Sequence, residues 1–317
     1  MNAATKLGAY VLGLAVVFGG ALGVGNMTGP VVGEPPAEHH AAATKPTESH
    51  GGGHQAEQTK NDTPGGLQVS EKGYTLNPLT TLKAGKKADF RFTVTDAGGE
   101  PVTDYQVQHD KKMHFIVVSR DLDTFQHVHP EMAADGVWSV PLTLESAGAY
   151  RAFADFAPTG GEALTLGADL LVAGDHEPKA LPEETRTSTV DGYEVKLDGD
   201  LAPGSTGKLT LTVSKDGKPV TDLEPYLGAY GHLVALRAGD LAYLHVHPDG
   251  EPGDGKTKPG PEIVFYAEAP SAGGYRLFLD FQHEGKVRTA DFTLRTGPAT
   301  GAPTPDVEPT GHGEHSH

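Results

Sequence analysis

The stretch SAGAYRAFADF at residues 146–156 returns as SAGGYRLFLDF at residues 271–281, 125 positions later. Each copy reads as a strand reached through Gly-x-Tyr: Gly148 and Tyr150 in the first, Gly273 and Tyr275 in the second. That approach resembles a tyrosine corner, in which the phenol bonds back to the chain just upstream. Working outward, EPVTD (100–104) matches KPVTD (218–222) at an offset of 118. His114, His127 and His129 match His232, His245 and His247 at the same offset. The longer polar turn PDGEPGDGKTKPGP (248–261) accounts for the change from 118 to 125. Landmarks repeated in one order predict an internal duplication. Domain 1 covers residues 67–175, a linker 176–185, and domain 2 residues 186–296.

Within each copy the runs are short and bounded by turn residues. ADFRFTVTD and GKLTLTVSKD alternate apolar and polar side chains, as half-buried strands do. MHFIVVS and HLVALR are apolar on both parities, the pattern of a central strand. No helical period occurs after residue 25. Strands at regular spacing in two domains of about 110 residues predict an all-β fold of two tandem immunoglobulin-like antiparallel β-sandwich domains.

The termini read differently. Residues 7–25, LGAYVLGLAVVFGGALGVG, carry no charge and at a helical rise would span about 28 Å, close to a bilayer's hydrocarbon core. Lys6 precedes this segment and Glu34 and Glu38 follow it. Residues 1–25 are therefore expected to be a single-pass anchor in the cytoplasmic membrane, N-terminus inside and domains outside. Cleavage as a signal peptide would make the protein secreted. Residues 26–66 and 297–317 are Pro-, Gly- and His-rich and too poor in large apolar side chains to offset their ordering entropy, which predicts a disordered tether and tail. Of 317 residues, 25 are Lys or Arg and 42 Asp or Glu, a net charge of −17 that argues against a nucleic-acid partner. With no cysteine, thiolate ligands and disulfides are excluded, and sixteen histidines make imidazole the main ligand type.

The histidines carry the functional reading. A hairpin turn centred on Arg120-Asp121 would set His114 opposite His127, Cβ atoms about 5 Å apart, with His129 on the same face. A turn at Ala238-Gly239 would do the same for His232, His245 and His247. Three neutral imidazoles on a rigid sheet suit Cu(II), Cu(I), Zn(II) or Ni(II), copper first by affinity order. Met113 is a secondary candidate, although copy two has Gly231 there. Asp155 and Asp280 are candidates to orient a ligating histidine or to ligate directly, and His283 is a candidate in copy two alone. Arg151/Asp155 and Arg276/Asp280, at i, i+4, are expected to form structural ion pairs. The tail histidines His312, His315 and His317 are candidate weak ligands. Against this stands the reading in which the sheet histidines only pack and bond carbonyls. The chain would then be an adhesion or scaffold protein, or a module that responds to pH through its imidazoles. The sequence has no cysteine nucleophile, G-x-S-x-G or phosphate loop, so no enzyme activity is expected.

KMHFIVVSRDLDTFQHVHP, YGHLVALRAGDLAYLHVHP and the SAGxYRxFxDF segments together resemble the YtkA-like, heavy-metal-associated family of bacterial membrane-anchored or secreted β-sandwich proteins. The resemblance spans about residues 67–296. It implies an extracytoplasmic role in metal homeostasis, with a metal-handling membrane protein as partner. The combined expectation is a membrane-tethered copper-binding protein for buffering, delivery or resistance, with one three-histidine site per sandwich.

Overall fold

Eighteen strands and no helix make up the described residues, 63–244 and 246–297, of the computed structural model. The expected membrane segment, most of the tether, His245 and the tail with His312, His315 and His317 lie outside the described residues. The first copy supplies β1 (Ser70–Glu71), β2 (Tyr74–Pro78), β3 (Ala88–Thr95), β4 (His114–Ser119), β5 (Phe125–Val128), β6 (Glu131–Met132), β7 (Val137–Leu142), β8 (Gly148–Phe156) and β9 (Leu164–Val172). The second supplies β10 (Thr187–Val190), β11 (Tyr193–Asp198), β12 (Thr206–Lys215), β13 (Lys218–Pro219), β14 (His232–Arg237), β15 (Val246–Pro248), β16 (Glu262–Glu268), β17 (Gly273–His283) and β18 (Lys286–Thr296).

Each copy is a pair of antiparallel sheets. The first pairs β1-β2-β3-β7-β6 with β5-β4-β8-β9; the second pairs β10-β11-β12-β16-β15 with β14-β17-β18. Four strands in the order A-B-E-D facing a sheet centred on C-F-G is the immunoglobulin arrangement. Phe90, Phe92, Phe115, Trp138 and Phe156 fill the first core; Tyr193, Phe265, Phe281 and Phe292 fill the second. The tyrosine corners are present in both copies. Tyr150 Oη donates to the Ser146 carbonyl at 2.8 Å, and Tyr275 Oη to the Ser271 carbonyl at 2.6 Å. Gly148 (φ 133°) and Gly273 (φ 148°) make the turn into each strand with backbone angles that a side chain would disfavour.

The two-sided apolar strands have a cause beyond a single sandwich. Phe115 and Val117 of β4 face the first core, while Ile116 and Val118 face the second copy. Likewise Leu233 and Ala235 of β14 face their own core, and Val234 and Leu236 face the first copy. A third cluster therefore joins Ile116, Val118 and Phe153 to Val234, Leu236 and Phe278. Phe125 stacks on Phe278, ring centres 4.2 Å apart, and Tyr243 packs on Phe153 at 5.7 Å. Phe125 and Tyr243 are matched positions of the duplication, as are Phe153 and Phe278. The contact is thus reciprocal, in the manner of a two-fold dimer interface built within one chain. Gly65 and Gly66 seal its edge: Tyr243 N donates to the Gly65 carbonyl, and Gly66 N to the Thr165 carbonyl. A Cβ on Gly66 (φ 74°) would lie 2.4 Å from the Phe153 ring, so only glycine fits. Linker residue Leu181 packs on the same cluster, and Lys179 pairs with Asp123 at 2.6 Å.

Several expectations are corrected. The β4–β5 ladder places His127 opposite Ile116 and Val128 opposite Phe115, two residues from the expected register. The turn is longer, closing Ser119 N onto the Thr124 carbonyl with Leu122 at φ 62°. A shift of two preserves the face, so His114, His127 and His129 still point the same way. Met113 is 1 % exposed in the first core, on the opposite face from His114, and is not a ligand. At Gly231, Ile263 and Leu279 take up the equivalent space. The i, i+4 ion pairs do not form. Arg151 pairs with Asp169 at 2.7 Å and Arg276 with Asp291 at 2.5 Å, on the neighbouring strands. Four residues along a strand span about 13 Å, whereas facing residues on adjacent strands are about 5 Å apart. Asp155 and Asp280 are thereby left for other partners.

Phe278 is 3 % exposed and belongs to the inter-copy cluster. Phe278→Ala should cost about 3–5 kcal/mol in chemical denaturation. Leu171→Ala, at a 75 % exposed position, should change stability by about 0.5 kcal/mol or less.

Candidate metal centre

His114 opens β4 on the face turned toward the second copy, directly opposite Asp155 in the β4–β8 ladder. His127 lies on β5. His129 follows just past its end, where Pro130 carries the chain across to β6 in the other sheet. Their ring centres are 5.4 Å (His114–His127), 5.1 Å (His114–His129) and 4.8 Å (His127–His129) apart. One ligand nitrogen from each lies within 4.8 Å of the other two, the single such group of three among the described residues. An N–metal bond of about 2.0–2.1 Å puts three tetrahedrally disposed imidazole centres about 5 Å apart, which these rings match.

The tautomers follow from the neighbours. His114 Nε2 lies 3.1 Å from the Gln108 carbonyl, which only accepts, so Nε2 carries the proton and Nδ1 the lone pair. His127 Nδ1 lies 2.9 Å from Asp280 Oδ2 of the second copy, so its proton sits on Nδ1 and its lone pair on Nε2. Both side chains are nearly sealed, 4 % and 6 % exposed. His114 Nδ1 and His127 Nε2 then face each other at 3.2 Å, lone pair to lone pair. His129 Nε2 is buried with no partner among the described residues. Asp280 is held in turn by Thr289 Oγ1.

Burial, reinforced by repulsion from His127, pushes His114 and His129 down to about 3. Burial also takes His232 down to about 4. These rings are neutral at physiological pH, as ligands must be. Asp155 accepts from Thr165 Oγ1 at 2.9 Å, and desolvation raises its carboxyl above the ordinary range.

The copies do not use their matched histidines in the same way. His232 repeats the bond of His114, with Nε2 donating to the Tyr226 carbonyl at 2.8 Å, and turns toward the first-copy cluster. Its ring centre is 6.3 Å from His114 and 6.4 Å from His127. His247 is exposed on β15, which pairs with β16 in the outer sheet and not with β14. In this copy the chain crosses between sheets earlier, so His247 joins β16 while His232 stays on β14. His232 and His247 therefore stand on different sheets of the second sandwich, and His245, the third residue expected there, lies outside the described residues. His283 stands apart, bonded to Tyr193 Oη at 2.7 Å and Asp222 at 3.1 Å. Sequence reasoning missed His109, whose ring centre lies 6.1 Å from His114 and 5.7 Å from His232. Its only sequence signal was a histidine five residues before His114.

A family model described as "Domain of unknown function (DUF8832)" matches the chain twice, at residues 68–173 and 188–297. Among curated proteins, none matches. Solved structures similar to the chain include a putative membrane anchored protein from Corynebacterium diphtheriae (11 % identity, TM-score 0.22), covering 73 % of this chain and 60 % of that one. Domains 5–6 of the S-layer protein SbsC match at 13 % identity and TM-score 0.22, covering 71 % of this chain and all of that one. A chimeric titin Z1Z2 matches at 16 % identity and TM-score 0.18, with 71 % and 96 % covered. Superpositions this loose carry no functional argument. The chain spans about three fifths of the first of these structures.

The depressed imidazoles set a pH dependence for the metal-free protein. Unfolded, these rings take up protons near pH 6.5; folded, they resist until about pH 3–4. Stability should therefore fall as pH drops from about 6.5 toward 4, because the unfolded chain binds more protons there. Denaturation midpoints measured from pH 7.5 to 4 check this; a flat profile would contradict buried neutral rings.

Proposed function

The chain belongs to the DUF8832 family, and from its histidine cluster we propose that it is an extracytoplasmic metal-binding protein that buffers, delivers or detoxifies copper. The observation that carries this reading is the convergence of three histidines: His114 Nδ1 and His127 Nε2 face each other with their lone pairs, and one ligand nitrogen of His129 lies within 4.8 Å of ligand nitrogens of both. A hydrogen bond between His114 and His127 alone would still leave His129 Nε2 buried without a partner among the described residues. A cation serves all three nitrogens at once. An all-imidazole set without thiolate favours Cu(II) over Zn(II) in affinity and remains compatible with zinc. The resemblance noted from the sequence and the apolar N-terminal segment support a membrane-tethered protein outside the cytoplasm, with a metal-handling membrane protein as its partner.

Full-length protein titrated with Cu(II) and Zn(II) tests this, because the terminal histidines contribute equally to every variant. His129→Ala should remove one tight equivalent. Asp280→Asn should weaken that same equivalent by about 10–100-fold, since it loosens the tautomer and orientation of His127. Unchanged stoichiometry in His129→Ala would sink the proposal.

A further inference from the structure

We propose a second cation position in the same inter-copy interface, held by His109 and His232 with Asp155 as its carboxylate, for a borderline divalent ion such as Cu(II) or Zn(II). This rests on the triad being a metal centre and adds a second ion beside it. His232 Nε2 is committed to the Tyr226 carbonyl, so Nδ1 carries a lone pair. Its ring centre is 6.3 Å from His114 and 6.4 Å from His127, but 5.7 Å from His109. His232 is thus nearer to His109 than to His114 or His127, which places it at a neighbouring position.

His109 approaches from the other copy. His109 and Asp110 form the centre of a two-residue turn closing Gln108 on Lys111. Both have positive φ, 47° and 61°, angles that a turn of this kind ordinarily gives to Asn-Gly. The turn sets the exposed His109 ring 5.7 Å from His232. His109, His114, His127, Asp155, His232 and Tyr243 line one cavity of about 90 Å³, room for an ion and its water. Asp155 is the duplicate of Asp280, the carboxylate that orients His127. Arg151, on the same strand face, is committed to Asp169. Two imidazoles and a carboxylate form a familiar set for a borderline cation with an open coordination position. Because His109 is exposed, this would be the exchangeable ion, nearer to solvent than the triad.

The test compares wild type, His109→Ala, His232→Gln and His129→Ala as full-length chains, counting bound Cu(II) and Zn(II) by native mass spectrometry and equilibrium dialysis. His109→Ala and His232→Gln should each weaken one equivalent by about tenfold or more while sparing the equivalent lost in His129→Ala. In wild type loaded with Cu(II), the two neighbouring ions should broaden each other's paramagnetic resonance, and His109→Ala should sharpen it. Because His109 is exposed, its replacement does not threaten folding, and Gln at 232 can keep the bond to Tyr226. Wild-type binding in both variants, with one equivalent lost in His129→Ala, overturns the second position and leaves the triad standing. Wild-type binding in all three variants overturns both.

Discussion

The second face of the sheets containing β4 and β14 has to be covered. Ile116, Val118 and Phe153 on one copy, and Val234, Leu236 and Phe278 on the other, are all 3 % exposed or less. Neither sandwich's own core reaches them. Left in water, each would forfeit about 1.5–3 kcal/mol of burial, and the patch would be an aggregation surface. The copies cover one another, and the position of the candidate metal centre follows. His114, Asp155, His232 and Asp280 share strand parity with the interface residues, so they fall at the end of the covered face. The histidine cluster therefore belongs to the junction of the copies and not to one sandwich.

That placement gives the imidazoles their chemistry. On an open sheet, three histidines would be solvated, partly protonated and free to rotate. Between the copies, burial keeps His114 and His129 neutral, while the Gln108 carbonyl and the Asp280 carboxylate fix which nitrogens of His114 and His127 face inward. Holding two lone pairs 3.2 Å apart in a low-dielectric interior is unfavourable without a cation. The arrangement reads as preorganised for one. Asp280 thus orients a histidine of the other copy, which ties the geometry of the cluster to the contact between the copies.

Duplication supplied matched parts, and local differences broke the match. Both copies keep the first histidine bonded to a carbonyl six residues upstream, and both keep an aspartate facing it across the ladder. They differ in where the chain crosses between sheets after the hairpin. In copy one it crosses past His129, which stays in the cluster. In copy two Val246 and His247 have already joined β16, and His247 goes to the surface. One earlier crossing is enough to give His129 and its match His247 different places in the two copies.

The sequence by itself determined the duplication, the all-β character, the tyrosine corners and the shared face of His114, His127 and His129. These rest on short-range regularities: a side-chain period of two, a turn residue, a repeat offset. The facing of the histidines survived a register error because a slip of two leaves every side chain on its own side. Tertiary structure alone decided that the doubly apolar strands cover each other, that Asp280 reaches His127, and that His109 joins the cluster. It also decided that Arg151 and Arg276 bond across strands. Each of these depends on which distant surface lies against a face. A chain pattern specifies that a face must be buried, and only the folded packing specifies what buries it.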